Sequence, residues 1–253
     1  MQDPPRSMDI TFHAKVQECP LCLRAGPHEV VRGADDRRYY RCDDCLLIFI
    51  DRSQHPSQEA AVAHYRTHEN SIESAGYVDF LRRVIDPLLP YLSPCMSGLD
   101  FGCGPGPTLS TILRRHGFVC TDYDPIFSPV RLDPPYDFVF ATECFEHFVR
   151  PAEDVGRLAS LLRPGGYLGV MTERWTDLGR FTDWYYTRDP THVSFFHDRT
   201  FEYVCRRFGF EALPSDDRRV LLFRRIERES GIRLARQSGS STDRARRERC
   251  GSA

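Results

Sequence analysis

The sequence predicts an α/β protein, a mostly parallel sheet with helices on its faces, preceded by a small cysteine module. Three observations predict it. From about residue 98 onward, apolar stretches of strand length alternate with segments of helical periodicity. A glycine-rich turn, Gly102-Cys103-Gly104-Pro105-Gly106, joins the first strand of that series to its first helix. Two C-x-x-C pairs, Cys19/Cys22 and Cys42/Cys45, stand near the amino terminus with nineteen residues between them.

The elements follow in order. Residues 1–15 read as a flexible lead and 16–52 as a compact unit of two cysteine knuckles with short β-prone stretches between and after them. Residues 53–97 turn polar and then helical, with Tyr77, Phe80, Leu81, Val84, Ile85 and Leu88 at helical spacing. Pro87 is expected to interrupt that helix. The segment 98–226 carries the sheet: a buried strand at Gly98–Phe101, a helix after the glycine turn that stops at Gly117, and strands at Phe118–Asp122 and Tyr136–Thr142. A helix at Pro151–Leu162, an Arg163-Pro164-Gly165-Gly166 turn, a further strand and a helix at Thr200–Phe208 come next. Two closing strands without a helix between them predict that one edge strand runs antiparallel. Only ten residues separate Pro125 from Tyr136, three of them proline, too few for a crossover. The third strand is therefore expected to be reduced or absent. Residues 227–253, rich in Arg, Ser and Gly, read as a disordered tail.

Composition narrows the function. Apolar residues make up 41% of the 253, enough for a core, and no apolar run approaches the ~18 residues of a membrane span. The first residues do not read as a secretory signal, so a cytoplasmic protein is expected. The last thirty residues hold nine Arg against four acids, which leaves the first 223 at −7 of the net −2. An acidic body argues against a broad nucleic-acid footprint. Lys15 is the sole lysine, which excludes a G-K-[ST] phosphate loop.

The glycine turn sits where an open α/β sheet binds nucleotide-like ligands, at the carboxyl ends of its strands. Its spacing is G-x-G-x-G, not the dinucleotide G-x-G-x-x-G, and Asp100 precedes the first glycine by two. Carboxylates there suit a ligand with ammonium and hydroxyl donors. Asp124 ends the next strand 22 residues after Gly102, near the ~20-residue offset of a ribose-binding acid.

These segments, LDFGCGPGP, Tyr123-Asp124-Pro125, YDFVFATECFEHF and LLRPGGYLGVMT, resemble the successive motifs of class I S-adenosylmethionine-dependent methyltransferases, over about half the chain. CPLC, HYRTHEN and WYYTRDPTHVSFF look more narrowly like a bacterial group of such enzymes with an amino-terminal four-cysteine module. The resemblance implies a Rossmann-like sheet and S-adenosylmethionine as cofactor. It implies that Asp100, Gly102, Gly104 and Gly106 lie against the methionine part of that cofactor, that Asp124 holds the ribose, that Cys103 and Tyr123 also bind the cofactor, and that Thr142 and Glu143 line the pocket. It further implies that the segment with Tyr65 and His68 covers the cofactor as a lid. The acid that such enzymes place after the third strand has only Asp133 as a weak equivalent.

Cys19, Cys22, Cys42 and Cys45 fit a closed, structural zinc site of four thiolates. The mixed charges around it favour a pocket wall or protein contact over RNA. Glu143, after the central strand, is expected to point toward the transferred methyl group. His192, in the segment Trp184–His192, is the expected general base, with Asp189 to orient it. Glu146-His147 reads as a hydrogen-bonding pair at a helix start, and His197 as a cap of the following helix. The expected activity is methyl transfer to a small molecule, a sugar or a natural-product intermediate. Alternatives are an RNA methyltransferase that reads RNA with its cysteine module and a cofactor-binding scaffold that has lost catalysis.

Overall fold

The computed structural model describes residues 17–67 and 70–226. The expected lead, the Arg-rich tail and His68 lie outside the described residues.

The front unit is built on two like turns. β1 (Gln17–Glu18) pairs with β2 (Ala25–Gly26), and the Cys19 carbonyl accepts from the Leu23 amide at 2.9 Å. The second turn repeats this with the Cys42 carbonyl and the Leu46 amide, also at 2.9 Å. Leu23 and Leu46 both take positive φ, 64° and 57°, which folds each chain sharply enough to aim two thiols the same way. β3 (Glu29–Val31), β4 (Tyr39–Arg41) and β5 (Ile48–Ile50) form an antiparallel meander.

Two helices lead into the main sheet. α1 (Gln58–Tyr65) is capped by Ser57 and α2 (Ala75–Leu88) by Ser74. Contrary to the expected break, α2 runs through Pro87. Pro87 removes the bond its amide would make to the Arg83 carbonyl, and the buried stripe Leu81, Val84, Ile85 and Leu88 holds the helix on the sheet across that loss.

The sheet then unfolds as β6 (Ser97–Phe101), α3 (Thr108–Arg115), β7 (Val119–Tyr123), β8 (Tyr136–Thr142), α4 (Pro151–Leu161), β9 (Leu162–Met171) and α5 (Leu178–Phe181). β10 (Ser194–Phe195), α6 (Asp198–Phe208), β11 (Phe210–Leu213) and β12 (Val220–Arg225) complete it. His197 caps α6, as its position predicts. The Arg163–Gly166 turn is absorbed into β9 beside a register irregularity at Tyr136/Phe138.

The six strands lie in the order β11-β12-β9-β8-β6-β7, with β6 to β9 mutually parallel. β7 is the edge: residues 124–135 form no helix or strand, only an Asp124–Ser128 bridge. The reversed strand is β12, and it lies one place in from the edge rather than at it. α6 returns the chain so that β11 runs with the parallel set, and the closing hairpin drops β12 into the gap beside β9. No helix among the described residues is long and apolar enough to cross a membrane.

The front unit is not set apart from the sheet. β10 adds to β5, Ser194 opposite Phe49 and Phe195 opposite Ile48, so the four-stranded ribbon sheet takes its edge strand from downstream of β9. Cys19, Leu21, Tyr40, Cys42 and Cys45 share one buried cluster with Phe145, Phe196 and Phe201.

Candidate active site

The carboxyl ends of β6, β7 and β8 open into a cavity of about 860 Å³. Asp100, Gly102, Cys103, Gly104, Gly106, Tyr123, Asp124, Thr142, Glu143, Tyr65 and His192 all border it. Of the residues singled out in the sequence for this site, Asp133 is exposed and does not line it; Ile126 and Phe127 take that wall instead. The chain has no third strand to carry Asp133 inward.

The glycine turn is fixed by close approach. Gly102 has φ 77°, and a Cβ on it would lie 2.3 Å from Cys144 Sγ. A Cβ on Gly106 would lie 2.2 Å from the carbonyl oxygen of Asn70, which also accepts from Thr108 Oγ1 at 2.9 Å. The segment before α2 is thus pinned over the turn. We expect Gly106→Ala to push Asn70 away and to raise backbone hydrogen exchange around residues 70–74, without change at β8.

The two strand-tip carboxylates differ. Asp124 Oδ1 accepts from the amides of Ile126 and Phe127 at 2.8 and 2.9 Å, and Oδ2 from the Gly104 amide at 3.3 Å. It therefore ties the tip of β7 to the glycine turn and still borders the cavity. Asp100 is buried, and burial together with the neighbouring Asp122 pushes its carboxyl up to about 8. Asp122 itself faces Arg114 at 2.5 Å, outside the site.

Across the cavity stands a second polar group. Glu143 has a positive φ of 48°, an uncommon backbone for a side chain of its size, held by its amide on the Met171 carbonyl at 2.7 Å. Its Oε1 is enclosed and accepts no hydrogen bond, and Oε2 is 3.9 Å from Arg219. Burial and then the Glu146 carboxylate push Glu143 up to about 9. Glu146, fully buried, accepts from Tyr186 Oη at 2.6 Å and Thr172 Oγ1 at 2.8 Å, and does not bond to His147. The expected Glu146–His147 pair is replaced by two separate anchors because the 3-10 turn Phe145–His147 points the two side chains to different carriers.

His192 is buried, and burial holds its imidazole below the ordinary value. Its Nδ1 is 2.7 Å from the Tyr186 carbonyl. A carbonyl only accepts, so Nδ1 carries the proton and the neutral ring presents its Nε2 lone pair. Asp189 is not the expected orienting partner: its Oδ2 is 3.7 Å from His192 Nε2, while it accepts from the Thr191 amide and pairs with His64 Nε2 at 2.9 Å. Those bonds and the nearby His192 outweigh burial and hold Asp189 well below the usual carboxylate range. Tyr65, whose phenol burial pushes up to about 12, meets His147 edge-on at 5.3 Å. Tyr186, Arg219 and Asn70 complete the lining, with Glu173 paired to Arg219. Arg219 and Glu173 give no signal in the sequence, lying among other charges on the loops at the ends of β12 and β9.

The segment 187–192 is held from the ribbon side by Arg37. Its guanidinium donates to the carbonyls of Thr187, Asp189 (3.1 Å), Pro190 (3.3 Å) and His192 (2.9 Å), and its Nε pairs with Asp35 at 2.7 Å. We expect Arg37→Ala to destabilise the protein by about 2–4 kcal/mol, because unsatisfied buried carbonyls cost about 1–3 kcal/mol each and some regain water. The shift in urea midpoint measures it.

The four ribbon cysteines converge, with Cys19 and Cys45 Sγ 3.6 Å apart and Cys22 and Cys42 Sγ 3.4 Å apart. A tetrahedral zinc with bonds of about 2.3 Å has sulfurs about 3.8 Å apart, so the donor set fits a four-thiolate metal with slight expansion.

The comparisons with known proteins decide the family. The family described as a methyltransferase domain matches residues 66–215, more than half the chain and the whole of this cavity's glycine turn and carboxylate rim. The chain belongs to this methyltransferase family. No curated protein matches the methyltransferase. Among solved structures it is similar to the 1,6-didemethyltoxoflavin-N1-methyltransferase of Burkholderia thailandensis, solved with 1,6-didemethyltoxoflavin and S-adenosylhomocysteine. That pair is 16% identical over 79% of this chain and 100% of the other, at a TM-score of 0.48. A SAM-dependent methyltransferase of Methanosarcina mazei is 15% identical over 55% and 97% of the two chains, TM-score 0.43. A Haloferax volcanii complex of the Trm112 methyltransferase activator with a methyltransferase gives 13%, 67% and 97%, TM-score 0.44.

Proposed function

We propose that this methyltransferase moves a methyl group from S-adenosylmethionine to a small-molecule acceptor bound beside Glu143 and His192. The observation that carries the reading is one cavity with two unlike ends: the glycine turn with Asp100 and Asp124 at one, and the Glu143, Glu146, His147 and His192 group at the other. When bound, S-adenosylmethionine supplies a sulfonium methyl whose carbon–sulfur pair stays on sulfur as the acceptor's lone pair forms the new bond.

The chain's own residues have assignable parts. Asp100 and the glycine turn receive the aminoacyl end, Asp124 the ribose hydroxyls, and Ile126 and Phe127 the base. Tyr65 and Asn70 close the site from the lid side. The acceptor's proton passes to the free Nε2 of His192. The volume, about 860 Å³, lies within the range of small-ligand clefts, about 300–1,000 Å³.

The RNA alternative finds little in the ribbon, where four of the six arginines are paired internally: Arg24 with Asp44, Arg37 with Asp35, Arg38 with Asp51 and Arg41 with Glu29. The scaffold alternative leaves the strained, partly unpaired Glu143 without a purpose. The four-thiolate ribbon, loaded with zinc, serves as the wall that holds segment 187–192. Calorimetry with S-adenosylhomocysteine, followed by transfer of labelled methyl to a panel of small hydroxyl, amine and carbon acceptors, tests the proposal. Saturable binding with transfer to RNA alone would replace it with the RNA reading, and binding with no transfer to any acceptor would replace it with the scaffold.

A further inference from the structure

We infer that Glu146, His147 and His192 form a binding site for a divalent transition-metal cation at the acceptor end of the cavity. One ligand atom from each lies within 4.8 Å of the others, and the two imidazole rings are 4.8 Å apart, centre to centre.

Both rings are set as metal ligands are set. His147 Nδ1 is 3.1 Å from the Thr191 carbonyl and His192 Nδ1 is 2.7 Å from the Tyr186 carbonyl, so each Nδ1 carries the proton and each Nε2 keeps its lone pair. A ring that donates its far N–H to a backbone carbonyl is the usual outer-shell arrangement of a metal-bound histidine. Glu146 is oriented in the same manner, its oxygens held by the Tyr186 and Thr172 hydroxyls with a second lone pair left on each.

An independent observation points to a ligand. Glu143 stands one 3-10 turn before Glu146, and its enclosed Oε1 accepts no hydrogen bond. The guanidinium beside it, Arg219 at 3.9 Å, is already engaged by Glu173 at 2.9 Å. Glu143 and Glu173 thus share one guanidinium, while the buried Glu146 has only hydroxyl partners, an arrangement that a cation complements. Two imidazoles with carboxylates favour manganese, iron, cobalt, nickel or zinc over calcium. The site is distinct from the four-thiolate ribbon in place and in chemistry.

The consequence for the acceptor rests on the methyl-transfer reading. A cation here selects an acceptor that offers a hydroxyl oxygen, and its charge favours the ionised oxygen. His192 is then a ligand rather than the base.

Manganese(II) alone is the probe, because thiolates hold it poorly and the ribbon metal stays in place. Titration of the full chain, followed by the electron-spin signal of free manganese, is expected to show one saturable site per chain. His147→Ala and His192→Ala are each expected to weaken it by at least the about 10- to 100-fold that loss of an outer-shell partner costs. In wild-type protein, bound manganese should broaden the ring-proton NMR signals of His147 and His192 before those of His55 and His116, a readout that needs no variant. Absence of saturable binding, or broadening that spares these two rings, overturns the inference. S-adenosylhomocysteine affinity is measured on the same samples: its survival without manganese binding overturns the cation site alone, whereas its absence beside manganese binding overturns the cofactor reading and leaves the cation site standing.

Discussion

Asp124→Ala is expected to weaken S-adenosylhomocysteine binding by about 10- to 100-fold, measured by calorimetry. The side chain joins the tip of β7 to the glycine turn through the Gly104 amide and fixes the backbone at Ile126 and Phe127. Oδ1 spends both lone pairs on the two amides, and Oδ2 retains one for a ribose hydroxyl; a hydrogen bond to a charged group contributes about 1.5–3 kcal/mol, with about 1.4 kcal/mol to each factor of ten. Alanine removes those bonds and frees the 126–128 turn as well. Asp124→Asn keeps one acceptor oxygen for the turn and loses the charge, so its loss should be the smaller, about tenfold. Affinity within twofold of wild type in a folded Asp124→Ala protein would remove the ribose role from this residue.

The parts of the site that share a local cause were legible in the sequence. Strand, glycine turn and helix are one continuous segment, so the positions of Asp100, Gly102 and Gly106 on the cavity follow from chain connectivity alone. The missing third strand was legible for the same reason, since ten residues with three prolines cannot make a crossover. The cysteine spacing likewise encodes two turns, and both turns form.

What was not legible depends on long-range packing. Nothing near Arg37 says that its guanidinium will gather the carbonyls of residues 150 positions away. Asp189 stands three residues from His192, yet the helix before the main sheet brings His64 to it first. Glu146 and His147 are neighbours in sequence, but a 3-10 turn sends one to Tyr186 and Thr172 and the other to Thr191. A hairpin by itself does not say which of its two strands faces the sheet, so the sequence does not place the reversed strand one position in from the edge.

With zinc on the four thiolates, as proposed above, its removal is expected to disorder the acceptor side of the site, and not the ribbon alone. Four-thiolate zinc in small modules contributes about 10–16 kcal/mol of binding free energy, and the ribbon has little else to hold its knuckles together. Its loss releases β5, which is the partner of β10, and with it Arg37, which holds residues 187–192. The shared aromatic cluster of Tyr39, Trp175, Phe181, Tyr186 and Phe195 then loses one wall. A strong chelator should therefore lower the melting midpoint by more than about 10 °C, at about 2–4 °C per kcal/mol for a chain of this size. Hydrogen exchange should rise together in residues 39–50 and 184–195, while β6 and β8, packed between α2 and α4, keep their protection. Exchange that rises in the front unit while 184–195 stays protected would make the ribbon a separable module, and the ribbon's metal would then have no hold on His192.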